Sequence, residues 1–273
     1  MAKPRNDLLD RLQYLGLRLV SMTMHAWPVS ANIAVARRLG DFMSRFDKRH
    51  RDRALDNLRA SFPGKPESEL HELARESMRQ LFMLGVEVMF TTRLVKIDTI
   101  AQHLDLRDFR DTLRLLLQRD HGLIMLTGHY GNWEILGYAL ATLGFETTSV
   151  ARPLDNPYVN DWLLGVRARQ GQRIIPKKGA TEGGASVMDA NAMQYNAPVV
   201  IGYARRVPGK AFKFIVGTQD IIRPDDWRDQ PDPLRYITQR YAKAIEDSVR
   251  ADPGQYLWVH RRWKTAPKSL SPR

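Results

Sequence analysis

The hydrophobic pattern of this chain changes period at Gly122, and that change limits the fold more than any other feature. Residues 1–120 read as almost entirely helical. Segment 31–60 is charged and periodic, and Ser61-Phe62-Pro63-Gly64-Lys65-Pro66 interrupts it. From Glu67 to Val95 a helical pattern resumes, with apolar Leu70, Leu73, Met78, Leu81, Leu84 and Met89. A further helix is predicted from Leu106 to Arg119. After Gly122, short strand-like runs alternate with helical ones. The predicted pairs are strand Leu123–Thr127 with helix Trp133–Leu143, strand Thr147–Ala151 with helix Pro157–Gln170, and strand Arg173–Pro176 with helix Glu182–Tyr195. Runs Pro198–Ala204 and Phe212–Gly217 flank Pro208-Gly209 and predict a hairpin. A long helix over Pro233–Ala251 follows, and Gln255–Val259 reads as a last strand.

Strands alternating with helices imply an α/β fold: a mostly parallel central sheet flanked by helices, preceded by an N-terminal helical region. The expected division is a helical, membrane-associating region over 1–120 and an α/β core over 121–273, together one continuous domain. No internal repeat or low-complexity tract is visible.

Composition narrows the chemistry. The chain has no cysteine, which excludes disulfide scaffolds, thiol catalysis and thiolate metal sites. The formal charge of +12 points to anionic partners. The charge is clustered. Residues 1–60 hold 12 Lys/Arg against 6 Asp/Glu, residues 250–273 hold 6 against 1, and residues 151–178 hold 6 against 2. No nucleic-acid motif and no interleaved aromatic platform accompanies this charge, so nucleic acid is not an expected partner. An anionic membrane surface or anionic substrate remains, beside the plain alternative of solvated faces. Near the N-terminus, Leu8, Leu12, Leu15 and Leu19 form a helical stripe suited to a membrane interface or to packing on the domain. Residues 19–36 lack Asp, Glu, Lys and Arg, but they contain His25, Pro28 and Asn32, a poor composition for a bilayer span. The basic start at Met1 is followed by no clean apolar region, so no signal peptide is expected.

The stretch Gly128-His129-Tyr130-Gly131-Asn132-Trp133-Glu134 lies between a predicted strand and a predicted helix, where ligands bind in open α/β sheets. His129 falls in the turn and Glu134 in the first helical turn. A histidine base with an orienting carboxylate there suits proton transfer from a substrate hydroxyl. The same residues also fit a capped turn, with Asn132 as N-cap and Glu134 set against the helix dipole. Spacing alone leaves both readings open.

This motif resembles the histidine, four residues, acid signature of the glycerolipid acyltransferases. With Asn-Trp-Glu it resembles the bacterial lipid A biosynthesis acyltransferases in particular. Asn57-Leu58-Arg59-Ala60-Ser61-Phe62-Pro63 is similar to that family's early signature, and Arg152-Pro153-Leu154-Asp155-Asn156-Pro157 to its second block. Arg167 and Gly171 match an Arg-x-x-x-Gly spacing, and Trp258-Val259-His260-Arg261-Arg262-Trp263 resembles the closing motif.

The resemblance implies an O-acyltransferase that moves a fatty acyl chain from an acyl carrier protein or CoA thioester to a hydroxyl of a lipid A-type glycolipid or lysolipid. It implies His129 as general base and Glu134 as its orienting acid. Arg167 would steady the oxyanion or bind donor, and Arg152 and Lys178 would contact phosphate. Asn132 joins these as a substrate-side residue that shapes the turn, and His260 is expected to anchor the closing motif. No metal or bound cofactor is implied, and the implied location is the cytoplasmic face of an inner membrane. One block departs from the family pattern. After Gly184 the chain runs almost directly to Ala197-Pro198-Val199-Val200, without the family's Asp-Gln and Phe-Phe-Gly-type segment. A catalytically weakened lipid-binding homologue is the alternative that this departure raises.

Overall fold

The structure is a computed structural model of the chain. It describes residues 6–118, 122–151, 153–169, 171–176 and 191–261. Four helices open it. α1 (Asp7–His25) starts at an Asn6 cap whose side chain accepts from the Leu9 amide. Pro28 separates it from α2 (Val29–Phe46), so the uncharged run 19–36 is broken into two helices. α3 (Lys48–Ser61) is capped by Asp47, and α4 (Glu67–Leu94) begins after the predicted Pro/Gly interruption. Among the described residues no helix is long and apolar enough to cross a membrane.

The predicted helix from Leu106 divides into a 3₁₀ turn, Arg107–Phe109, and an α-helix, Arg110–Gln118. Before them lies a two-residue strand that the sequence pattern does not announce, β1 (Leu104–Asp105), beyond the short helix Ile100–His103. The alternating part then follows: β2 (Ile124–Leu126), helix Trp133–Thr142, β3 (Thr148–Ala151), helix Pro157–Ala168, β4 (Arg173–Pro176), β5 (Val199–Arg206) and β6 (Phe214–Ile222). A short helix, Pro224–Trp227, precedes the long helix Pro233–Ala251. Most of the predicted helix over Glu182–Tyr195 lies outside the described residues; 191–194 are helical.

The main sheet has the order β1-β6-β5-β2. β1 pairs with β6 and β2 with β5 in parallel, while β5 and β6 form the predicted antiparallel hairpin. β3 and β4 make a separate parallel pair. The result is an α/β fold with a mostly parallel sheet flanked by helices. Helix Trp133–Thr142 is buried along nearly its whole length between α4 and β5. One strand prediction fails. Gln255–Val259 forms a 3₁₀ turn at Pro253–Gln255 and a single bridge from Tyr256 to Tyr130. The ladder stops because the Trp258 amide donates to the Ser77 hydroxyl at 2.8 Å and the indole N–H to the Pro253 carbonyl at 2.8 Å. Tyr256, Leu257, Trp258 and Val259 are all buried, so this segment is enclosed on every side and has no exposed strand face.

Candidate active site

Leaving β2 at Leu126, the chain crosses the end of the sheet before entering helix Trp133–Thr142. Two close approaches shape that crossing. A Cβ on Gly128 would lie 3.0 Å from the Ile245 side chain. Gly131 has φ +60°, and a Cβ there would lie 2.0 Å from the Ala204 carbonyl oxygen. Only glycine satisfies both demands at 131. Backbone bonds then tie the turn to its neighbours. The Gly131 amide donates to the Gln255 carbonyl at 2.9 Å, the Asn132 amide to the Ala204 carbonyl at 2.8 Å, and the Leu257 amide to the His129 carbonyl at 2.9 Å.

His129, half-buried, sits between two rings. Trp133 meets it edge-on at 5.0 Å between centroids. His260 stacks on it at 4.5 Å with only 17° between the planes. The closing segment therefore places an imidazole against the motif histidine. That segment is itself held by α3. Asn57 donates to the Trp258 carbonyl at 2.8 Å and the His260 carbonyl at 3.3 Å, and Arg53 to the Val259 carbonyl at 3.2 Å. The early and closing sequence signatures thus meet beside His129.

Glu134 lies in the first turn of its helix, and both of its oxygens accept from Arg167. Nε donates at 3.0 Å and Nη2 at 2.8 Å, a bidentate fork from the helix Pro157–Ala168. The sequence expectation put Arg167 on oxyanion or donor; the structure puts its guanidinium on the Glu134 carboxylate. Asn132 is fully buried and engaged at both ends. Its side-chain oxygen accepts from the Ile135 amide at 3.0 Å, capping the helix, and its amide donates to Glu87 at 2.8 Å. It holds the turn from beneath and presents no surface to a substrate. Arg152 and Lys178 lie outside the described residues, as does the shortened segment over 182–190.

Beneath the turn lies a buried polar network. Glu87 of α4, 2% exposed, accepts from Arg206 Nε at 2.7 Å and Nη2 at 2.6 Å as well as from Asn132. Arg206 also donates from Nη1 to Gln80 at 2.5 Å, and its backbone amide to the Gln255 side chain at 2.7 Å. Burial pushes the Glu87 carboxyl above the usual glutamate value, against the opposing pull of Arg206 and Asn132. A carboxylate inside the apolar run Leu84-Gly85-Val86-Glu87-Val88-Met89-Phe90 was the available sequence signal, with an arginine ending an apolar strand at Arg206. Among the described residues no three His, Asp or Glu side chains gather as a metal site.

Chemically, the arrangement offers an imidazole in a strand–helix turn, a clamped carboxylate in the first turn of the helix that follows, and a buried frame beneath the turn. No curated protein matches the chain. A family model, bacterial lipid A biosynthesis acyltransferase, matches residues 3–198 and, in a second stretch, 187–265. The two stretches meet where the sequence departs from the family pattern. With the match covering nearly the whole length, the chain belongs to the bacterial lipid A biosynthesis acyltransferase family, and that membership implies an acyltransferase.

Proposed function

We propose that the protein transfers a fatty acyl group from an acyl carrier protein or CoA thioester to a hydroxyl of a lipid A-type glycolipid or lysolipid. The observation that carries this reading is the placement of His129 at the end of β2 with Glu134, clamped by Arg167, opening the next helix. In the proposed step the His129 imidazole takes the proton of the acceptor hydroxyl. The freed oxygen attacks the thioester carbonyl carbon, a C–O bond forms and the C–S bond breaks. The imidazolium then returns the proton to the departing thiolate, so no proton is gained or lost. Glu134 orients His129 and favours its protonated form, and Arg167 fixes Glu134 for that task. The chemistry needs no metal and no resident cofactor.

The acceptor is a lipid, and the N-terminal helices carry the means to reach it. Leu8, Leu12, Leu15, Leu19, Met22 and Trp27 of α1 and its following turn are exposed, as are Val35, Leu39, Phe42 and Phe46 of α2. Apolar surface left open over two helices suits an interfacial seat, and the basic residues of 1–60 suit an anionic leaflet. We place the protein on the cytoplasmic face of an inner membrane. His129→Ala tests the reading. With labelled acyl-thioester and membranes, transfer should fall by about three orders of magnitude. Undiminished transfer by this variant removes His129 as the base. Vesicle binding without any transfer by the unaltered protein would instead favour a lipid-binding homologue lacking activity, the reading that the shortened segment raises.

A further inference from the structure

We propose that Glu87 and Arg206 are positioning residues of the acyl-transfer site, acting through Asn132 to hold His129 and Glu134 in register. The inference rests on the reading of His129 and Glu134 as the reacting pair.

Its basis is a chain of buried contacts that converge on one turn. Glu87 lies in α4, Arg206 at the end of β5 and Asn132 at the head of the helix bearing Glu134. The Glu87 carboxylate takes three donors: two from the Arg206 fork and one from Asn132. The Asn132 amide can therefore adopt only one orientation. Its NH₂ must face Glu87 and its oxygen must face the Ile135 amide, which caps the helix. The Arg206 backbone is locked in turn by Gln255, whose carbonyl accepts from Gly131. Two residues upstream in β5, the Ala204 carbonyl accepts from Asn132. The same frame thus grips the turn at residues 131 and 132, between the imidazole and its carboxylate.

A buried ion pair is weak evidence for stability, because well-packed apolar residues often do as well. One whose spare acceptor capacity fixes the side chain capping a catalytic helix has a positional use. A small displacement in such a site costs up to about a hundredfold in rate.

Glu87→Gln tests this. Its amide nitrogen falls either at the Oε1 place, against Arg206 Nε, or at the Oε2 place, against Arg206 Nη2 and Asn132, so in each orientation a donor meets a donor and the frame under the cap is disturbed. The double variant Glu87→Leu with Arg206→Met replaces the pair by apolar groups of similar size, and it serves if the single variant folds poorly. Two measurements are made on each folded variant. The first is transfer from palmitoyl-CoA to membranes. We expect kcat to fall by about tenfold to a hundredfold while KM for the thioester moves by less than about threefold. The second needs no activity. It is the rate of His129 modification by diethylpyrocarbonate, read by peptide mass spectrometry against exposed His71 in the same molecule. We expect that ratio to rise by about threefold or more as the turn loosens. A lowered melting temperature with both readouts unchanged means a structural role only and overturns the proposal. Absence of transfer by the unaltered protein counts against the acyl-transfer reading, and the modification ratio still decides the positioning.

Discussion

Arg167 grips both carboxylate oxygens of Glu134, at 3.0 and 2.8 Å, from a helix 33 residues further along the chain. A planar guanidinium can hold a carboxylate at two points and so fix its rotation as well as its position. Glu134 enters the proposed reaction only through its orientation toward His129, so the second point matters. Arg167→Lys keeps the charge and loses the fork. Its kcat should fall by about tenfold, and that of Arg167→Ala by about a hundredfold, with smaller changes in KM. A guanidinium that instead bound donor would raise KM and leave kcat nearly unchanged, so steady-state kinetics on both variants separate the two roles.

Gly131 is the position at which the motif turn is least tolerant. Its φ of +60° disfavours any side chain, and a Cβ would sit 2.0 Å from the Ala204 carbonyl oxygen that accepts from Asn132. The three nearest atoms are all backbone of Ala204 and Arg205, so no flexible group can yield. Gly131→Ala should lower stability by about 2 kcal/mol or more, measured by urea unfolding, and should abolish transfer in whatever fraction folds. Gly144→Ala is the comparison. It shares a positive φ of 89° but has no atom within 4 Å of the added Cβ, so it should cost only about 1 kcal/mol and leave transfer intact.

The motif was legible because its parts are local. An apolar run, a glycine-bounded turn and a capped helix lie within twenty residues, and the structure reproduces that order as β2, turn and helix. The helix Pro233–Ala251 and the strand Arg173–Pro176 keep their predicted bounds for the same reason: a Pro-initiated helix and a short apolar run carry their own signals. The contacts that frame the turn are not local. Glu87 and Arg206 stand 119 residues apart, and only the packing of α4 against the sheet brings them together. β1 is two residues long and therefore has no period to read. The run Gln255–Val259 reads as a strand because consecutive apolar residues from Tyr256 to Val259 suit a buried strand and an enclosed turn equally well. The family resemblance marks Arg167 through its match with Gly171 but does not mark its partner, since no sequence distance predicts which carboxylate a helix-borne arginine meets.

His25 ends α1 with its ring 4.6 Å from Phe90 of α4 and with a buried, unpartnered Nδ1. Burial first, and then the charge of Arg93, push its pKa below the ordinary value of 6.5. The sign follows directly. The unfolded chain binds the proton more readily than the folded one, so the contribution to stability is complete above about pH 6.5 and is lost as pH falls through the depressed folded value. Unfolding midpoints in urea measured from pH 8 down to pH 5 should decline in the unaltered protein. His25→Phe should remove part of that decline. An unchanged slope in the variant would assign the acid sensitivity to other groups.

The exposed apolar residues of α1 and α2 make the proposed membrane seat testable without knowing the acceptor. Leu12 and Leu19 share the stripe on α1, and the rings of Phe42 and Phe46 meet at 4.4 Å, tilted by 38°, on α2, with Phe46 67% exposed. None of these side chains supports the folded core, so replacing one with glutamate should leave the unfolding midpoint nearly unchanged. It removes about 1.5–3 kcal/mol of transferable apolar surface, so each of Leu19→Glu and Phe46→Glu should weaken sedimentation with phosphatidylglycerol vesicles by about tenfold or more. Added salt should weaken binding of the unaltered protein only in part, because screening acts on the basic residues and leaves the apolar contribution in place. Transfer from a soluble thioester to a detergent-dispersed acceptor should survive in the same variants, since the stripe is separate from the frame around His129. Loss of transfer in detergent together with retained vesicle binding would move these residues from the membrane seat to the active site.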